Sequence, residues 1–294
     1  MQATPDYLPA ILWVLLSTFI WTIVFAAGKF SDGAIGVFQL TLFRYLGGLA
    51  VIFVMIKFKG GLKHHRSKQT GSHFVRALTG CGGAIAITWA SANMPLIDAT
   101  AIGMLYGVLG VLLGMIFLKE IVTKQHWMAI AVTVFGVFIV MAGKGAFQSD
   151  IVLLPALAAL LGAIFFAIEG LFISLLGRSE KALTVMLYVT VFGILLMIVP
   201  ASLEWQPVCI KTLLLCLLLG PLGLAGQYCT IRGYRSAPLS IVAPVDYSWL
   251  IFSAILGLVI FKEMPSLSTL IGSATIIMGG LLLTRSKTQS KQTQ

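Results

Sequence analysis

The sequence predicts an all-α membrane protein of ten transmembrane helices, arranged as two inverted five-helix repeats over residues 1–147 and 148–294. Three observations carry this. First, 59% of the 294 residues are hydrophobic and 10% charged, whereas water-soluble domains run near half apolar and a quarter charged. Second, polar or turn-rich breaks divide the chain into ten apolar stretches, each near the roughly 20 residues a helix needs to cross the hydrocarbon. Third, Pro95-Leu96, Gly114, Lys119-Glu120 and Gly136 recur as Pro238-Leu239, Gly257, Lys262-Glu263 and Gly279, every one displaced by 143 residues. Five is an odd number of crossings, so the second copy enters the membrane upside down relative to the first. Secondary transporters are often built this way, with the substrate site near the bilayer midplane between the halves.

The predicted spans are 8–27, 36–56, 74–92, 98–118, 125–142, 151–176, 182–203, 209–230, 239–261 and 266–284. The first is preceded by Met1–Tyr7, which lacks the Lys or Arg of a signal peptide, so it reads as a span. The second contains Arg44, about eight residues in, or roughly 12 Å deep at 1.5 Å per residue. The fourth carries glycines at 103, 107, 110 and 114, a stripe predicted to lie flat against a neighbouring helix. The sixth holds Glu169. Gly220-Pro221, Gly223 and Gly226 mark the eighth as deformable. In the ninth, Asp246 follows Pro244, whose missing N–H leaves a carbonyl free to line a cavity.

Lys and Arg set the orientation. With both termini in the cytoplasm, fifteen of them lie inside, six in or beside the second loop (Lys57, Lys59, Lys63, Arg66, Lys68, Arg76). Only Lys29, Lys144, Lys211 and Lys262 lie outside, which obeys the positive-inside rule for a bacterial-type inner membrane. The net charge of +10 is thereby accounted for without a nucleic acid, and the basic loop lacks interleaved aromatics. His64, His65 and His73 share that loop and read as polar residues of a solvated turn, with no metal expected. The four cysteines form no CxxC pair and read as small packing residues. No GxxxxGK[ST], HExxH or nucleophile elbow occurs, and the loops are too short for an ATPase domain, so neither an enzyme nor a primary pump is expected, and no cofactor.

The doubled Pro-Leu, glycine and Lys-Glu elements, with Trp21 and Lys29 closing the first span and Phe43-Arg44 in the second, resemble the drug/metabolite transporter superfamily in its EamA family. The resemblance covers almost the whole chain. It implies that four helices of each half surround a central cavity while the fifth and tenth lie outside as support. Members include exporters of amino acids and other metabolites, and relatives that import S-adenosylmethionine or riboflavin. The FRYLGG and HFVRALTG segments look closer to the uptake-type relatives.

A charge in a span costs at least about 2.5–3.5 kcal/mol at the helix centre, so it persists where it faces a cavity or a partner. Arg44, Glu169 and Asp246 are the three. Arg44 suits a substrate carboxylate or phosphate through its planar fork; the alternative is a structural ion pair or a helix-capping contact, and for Glu169 it is a pair with Arg44 or a neighbouring hydroxyl. Glu169 and Asp246 suit proton or cation binding, because burial favours the protonated acid. Tyr247 and Trp249 stand beside Asp246, and Tyr106 occupies the place in the first repeat that Trp249 holds in the second. Rings facing each other across the pseudo-twofold would sandwich a planar or cationic substrate. Trp21, Phe25, Trp89, Phe166, Tyr188 and Tyr228 read instead as bundle packing.

The expected function is secondary transport of a small amino-acid-like, nucleoside-like or vitamin-like metabolite by alternating access. Import and export, and proton coupling, exchange and facilitated flow, stay open, as does a homodimer. A scaffold or receptor has no reason to bear three intramembrane charges.

Overall fold

The computed structural model describes residues 7–30, 35–58, 61–117, 124–143, 150–236 and 245–285. In hydrocarbon each backbone N–H and C=O must be satisfied within its own segment, so long apolar runs become helices. They are α1 (Leu8–Phe25), α2 (Ala27–Phe30), α3 (Val37–Phe58), α4 (Thr70–Asn93), α5 (Leu96–Gly103), α6 (Leu105–Phe117), α7 (Lys124–Gly143), α8 (Asp150–Ser179), α9 (Ala182–Leu203), α10 (Ile210–Ser236), α11 (Ser248–Val259) and α12 (Leu267–Arg285), with a 3₁₀ turn at Leu62–His65. No strand occurs among the described residues.

Joining α1 to α2 and α5 to α6 across single residues leaves ten helical segments at the positions of the ten predicted spans. Among the described residues seven are long and apolar enough to cross a membrane, and α4, α11 and α12 as described are not among them. Of the sequence features named above, Lys119-Glu120, Pro238-Leu239 and Pro244 lie outside the described residues.

Glycine sets where backbones close. A Cβ on Gly136 of α7 would lie 2.9 Å from the Gly272 carbonyl of α12, and one on Gly272 only 2.8 Å from the Gly136 carbonyl. α3 and α10 cross in the same manner. There Pro221 cannot donate to the Leu217 carbonyl four residues back, and that carbonyl abuts Gly47.

Three expectations are corrected. The glycine stripe of the fourth span is not a flat contact: Gly103 meets the Ile87 side chain at 3.0 Å and Gly107 only the Tyr247 hydroxyl at 3.7 Å, while Gly110 has nothing within 4 Å, so no neighbouring backbone lies along these three. Arg76 is not a loop charge. Counted in or beside the second loop although the predicted span begins at 74, it sits in a helix that starts at Thr70 and is buried, 1% exposed. His65 and His73 are likewise not solvated: His65 Nδ1 is 3.1 Å from Thr184 Oγ1, and the His73 ring stacks on Tyr188 with centroids 4.5 Å apart.

Candidate functional site

The fourth and ninth spans break at equivalent residues. Met104, between α5 and α6, and Tyr247, before α11, are 143 positions apart and share nearly the same backbone angles, φ/ψ −60/−12 and −66/−12. At both, the next helix is entered through an i→i+3 bond: Gly107 N–H to the Met104 carbonyl at 3.2 Å, and Leu250 N–H to the Tyr247 carbonyl at 3.0 Å. Interrupted helices at matching places in two halves point to a binding site, since broken backbone is tolerated in a membrane only where it lines a cavity or is buried in protein.

Four predicted residues gather at these breaks. The Tyr106 hydroxyl donates to Asp246 Oδ2 at 3.2 Å. Tyr247 lies over Gly280, where any Cβ would collide with its ring, and its hydroxyl reaches within 3.7 Å of where Gly107 would carry one. Trp249 is 7% exposed, and its indole N–H has no hydrogen-bond partner among the described residues. The ring that meets Trp249 is Phe25 of α1, at 5.4 Å, and Phe25 also lies 5.3 Å from Trp21 and 5.6 Å from Phe166 of α8. An aromatic layer thus joins both halves.

One turn beyond Phe166, Glu169 begins a second polar group. Its Oε1 is 3.5 Å from Nη2 of Arg76, and Arg76 Nη1 donates to the Val185 carbonyl of α9 at 3.2 Å. Glycines on α4 make the room: Cβ atoms on Gly80, Gly82 and Gly83 would lie 2.9, 2.8 and 2.6 Å from Glu169, Phe165 and Phe166. Arg44, 8% exposed, sits 5.0 Å from the centroid of the Tyr45 ring and within electrostatic range of Glu169. Its guanidinium has no hydrogen-bond or ion-pair partner among the described residues.

A third constellation joins α2, the start of α5 and the turn before α12. Lys29, beside the α1–α2 break, pairs with Glu263 and donates to the Met94 carbonyl at 2.9 Å. Glu263 Oε2 accepts the Leu96 N–H at 2.9 Å, capping α5. Lys262 takes φ +55, a left-handed conformation uncommon outside glycine, as the chain turns Glu263 back toward α11.

Sequence reasoning missed Arg76, whose signal was an unbroken helical run from His73 to the glycines at 80, 82 and 83. It set Trp21, Phe25 and Phe166 aside as packing. It also passed over Asp98, fully buried, whose Oδ1 accepts from the Thr269 hydroxyl at 2.6 Å and ties α5 to α12.

The model of the EamA-like transporter family matches twice, over residues 8–142 and 153–285. A pseudopaline exporter of Pseudomonas aeruginosa is 24% identical over 286 residues, covering 94% of this chain and 96% of the exporter. An S-adenosylmethionine uptake transporter of Rickettsia prowazekii is 25% identical over 292 residues, covering 98% and 97%. One solved structure, described only as the crystal structure of a protein, superposes with a TM-score of 0.67 at 20% identity, covering 95% of this chain and 98% of that one, a likeness of fold.

Proposed function

Because the chain belongs to the EamA-like transporter family, we propose that it is a secondary transporter that carries a small organic metabolite between its two halves by alternating access. The observation that carries the reading is the pair of matching helix breaks at Met104 and Tyr247, with the Tyr106–Asp246 hydrogen bond beside them. Asp246 is the cation- or proton-binding group. Trp249 and Phe25 offer ring faces to a planar or cationic part of the substrate, where stacking and cation–π attraction add up to about 2 kcal/mol in a desolvated site. Tyr106 and Tyr247 orient the acid and wall the chamber, and Arg44 and Glu169 provide its other polar end. Ten crossings in two inverted repeats, with both termini in the cytoplasm of a bacterial-type cell, supply the alternation: the Lys29–Glu263 pair closes one end and parts when that end opens.

The relatives transport in both directions under their printed names, so S-adenosylmethionine is the first solute to try in either. The test is a metabolite extract spiked with it, offered to right-side-out and inside-out vesicles bearing the full chain. One solute class should enter one vesicle orientation above protein-free controls, giving substrate and direction together. Indistinguishable uptake for every solute in both orientations would sink the reading.

A further inference from the structure

Six tryptophans occur in the chain, and only Trp249 is buried. An indole donates one hydrogen bond and accepts none, and a buried N–H left unpaired is costly enough that buried tryptophans usually find an acceptor. The aromatic layer holds two indoles that differ in this respect. Trp21 Nε1 donates to Thr230 Oγ1 at 3.4 Å, and Ser17 Oγ lies 2.6 Å from that same hydroxyl. Trp249 Nε1 is buried with no acceptor among the described residues, although its ring packs against Phe25 at 5.4 Å. Space opens at the same pair of helix breaks: a Cβ on Gly107 would meet only the Tyr247 hydroxyl, at 3.7 Å, and one on Gly110 nothing within 4 Å. Tyr106 and Asp246, hydrogen-bonded to each other, are half-buried there, and Asp246 stands three residues before Trp249.

We infer that Trp249 is a specificity-determining residue of the chamber, whose N–H donates to an acceptor atom on the edge of the solute's planar part. That part is then a ring bearing a heteroaromatic nitrogen or a carbonyl, and not a plain hydrocarbon ring. The N–H lies in the plane of the indole, so the contact forms at the ring's edge and adds a direction that stacking on a face does not supply. A neutral donor suits a neutral acceptor, which brings no further charge into the bundle. A hydrocarbon ring of the same shape leaves the N–H as unpaired as it is in the empty chamber, and a site with a dedicated hydrogen-bonding group rejects the analogue that lacks the partner. The inference deepens the transporter reading and rests on it for its consequence: Asp246 takes the cationic group of the transported molecule, and Trp249 reads the edge of its ring.

The test uses phenethylamine and its three pyridyl analogues, in which nitrogen replaces the ortho, meta or para C–H of the ring. All four carry the same ammonium group and a ring of the same shape, and only the pyridines carry an edge acceptor, uncharged at pH 8. Each is titrated against the unfolding midpoint of the purified full chain in detergent at matched ionic strength, since a ligand that binds only the folded state raises the midpoint as its occupancy grows. In the wild type at least one pyridyl isomer should act at about tenfold lower concentration than phenethylamine, the weight of one newly paired buried donor. Trp249→Phe keeps an aromatic face and loses the N–H, so in that variant the pyridyl and phenyl probes should act at the same concentration as each other. A packing role for Trp249 would weaken all four alike and leave the preference in place. Should that variant not fold, 3-benzothienylalanine inserted at 249 keeps the outline of the indole, puts sulfur where the N–H was, and makes the same comparison. An equal response to all four amines in the wild type, no response to any of them, or a pyridyl preference that survives loss of the N–H would each overturn the role of Trp249. Because binding is read without flux, absence of the preference in a chain that carries solute into vesicles removes this inference alone, and a Trp249-dependent preference in a chain that carries nothing removes the transporter reading.

Discussion

Where α7 meets α12, Gly136 and Gly272 strip away side chains so that two backbones touch; where α4 meets α8, Gly80, Gly82 and Gly83 make sockets for Glu169, Phe165 and Phe166. The same residue type serves two ends. In hydrocarbon no hydrophobic force draws helices together, and close backbone packing replaces it. The first interface uses glycine that way. The second uses glycine to seat a buried acid and two rings from another helix. On the proposed reading the α7–α12 pair is a fixed strut and the α4–α8 face belongs to the working centre.

The largest effect should come from filling the strut. Gly136→Leu must push apart backbone atoms less than 3 Å from the new Cβ, and overpacking of this kind costs about 1–3 kcal/mol or more. The expected result is loss of monodisperse protein on size-exclusion chromatography. Gly80→Ala meets the end of a flexible Glu169 side chain instead. The protein should fold, with its melting midpoint close to wild type, while solute flux falls several-fold. A reversal of the two phenotypes would break the distinction between strut and centre.

Within the centre, Asp246→Asn fixes a neutral group that still hydrogen-bonds. Solute counterflow should survive while net pH-driven flux drops by about tenfold or more, the weight of one buried charge change. Tyr106→Phe removes only the bond to Asp246, worth about 0.5–1.5 kcal/mol, so its effect on flux should be a few-fold. Equal loss of counterflow and driven flux in Asp246→Asn would assign that carboxyl to substrate binding alone.

How much of this was legible in the sequence depends on what each signal encodes. Helix positions followed from apolar length, and the family from Lys-Glu and glycine elements written twice. The glycine stripe was misjudged because spacing fixes which residues share a helix face but not what lies opposite it. Gly107 leaves space for the Tyr247 hydroxyl, a residue 140 positions away. Arg76 was hidden because, although the predicted span already begins at residue 74, its charge counts with the basic loop beside it; the helix begins six residues earlier at Thr70. Pro244, three residues before Tyr247, marks the ninth-span break in the sequence, whereas the matching break at Met104 has no proline and the Gly103 before it reads as part of a packing stripe. The role of Glu263 was invisible for another reason: the repeat displays the motif, while its partners Lys29 and Leu96 sit in the other half of the chain.

The smallest expected effect concerns orientation and needs no change to the centre. Cys209, exposed just before α10, accepts or shares a hydrogen bond with the Thr212 hydroxyl at 3.2 Å, and that contact holds its thiol below the usual thiol range. A lowered value means more thiolate at neutral pH, and thiolate is the nucleophile. With the other three cysteines replaced, a membrane-impermeant maleimide added outside intact cells should label Cys209 at pH 7. Thr212→Val should slow that labelling at pH 7 and leave it nearly unchanged well above the ordinary thiol value, where both forms are thiolate. Labelling only after the inner face is exposed would invert the proposed topology.

Alternating access through the centre is tested most directly at the Lys29–Glu263 closure. In a chain whose native cysteines are replaced, Lys29→Cys with Glu263→Cys places two thiols across the ion pair that joins the end of α1–α2 to the α11–α12 turn. Solute counterflow is measured in proteoliposomes before oxidation, after it, and after reduction. The predicted result is flux that stops when the disulfide forms and returns when it is reduced. Undiminished flux through fully crosslinked protein would contradict the account, because the two halves would then not need to part at that end.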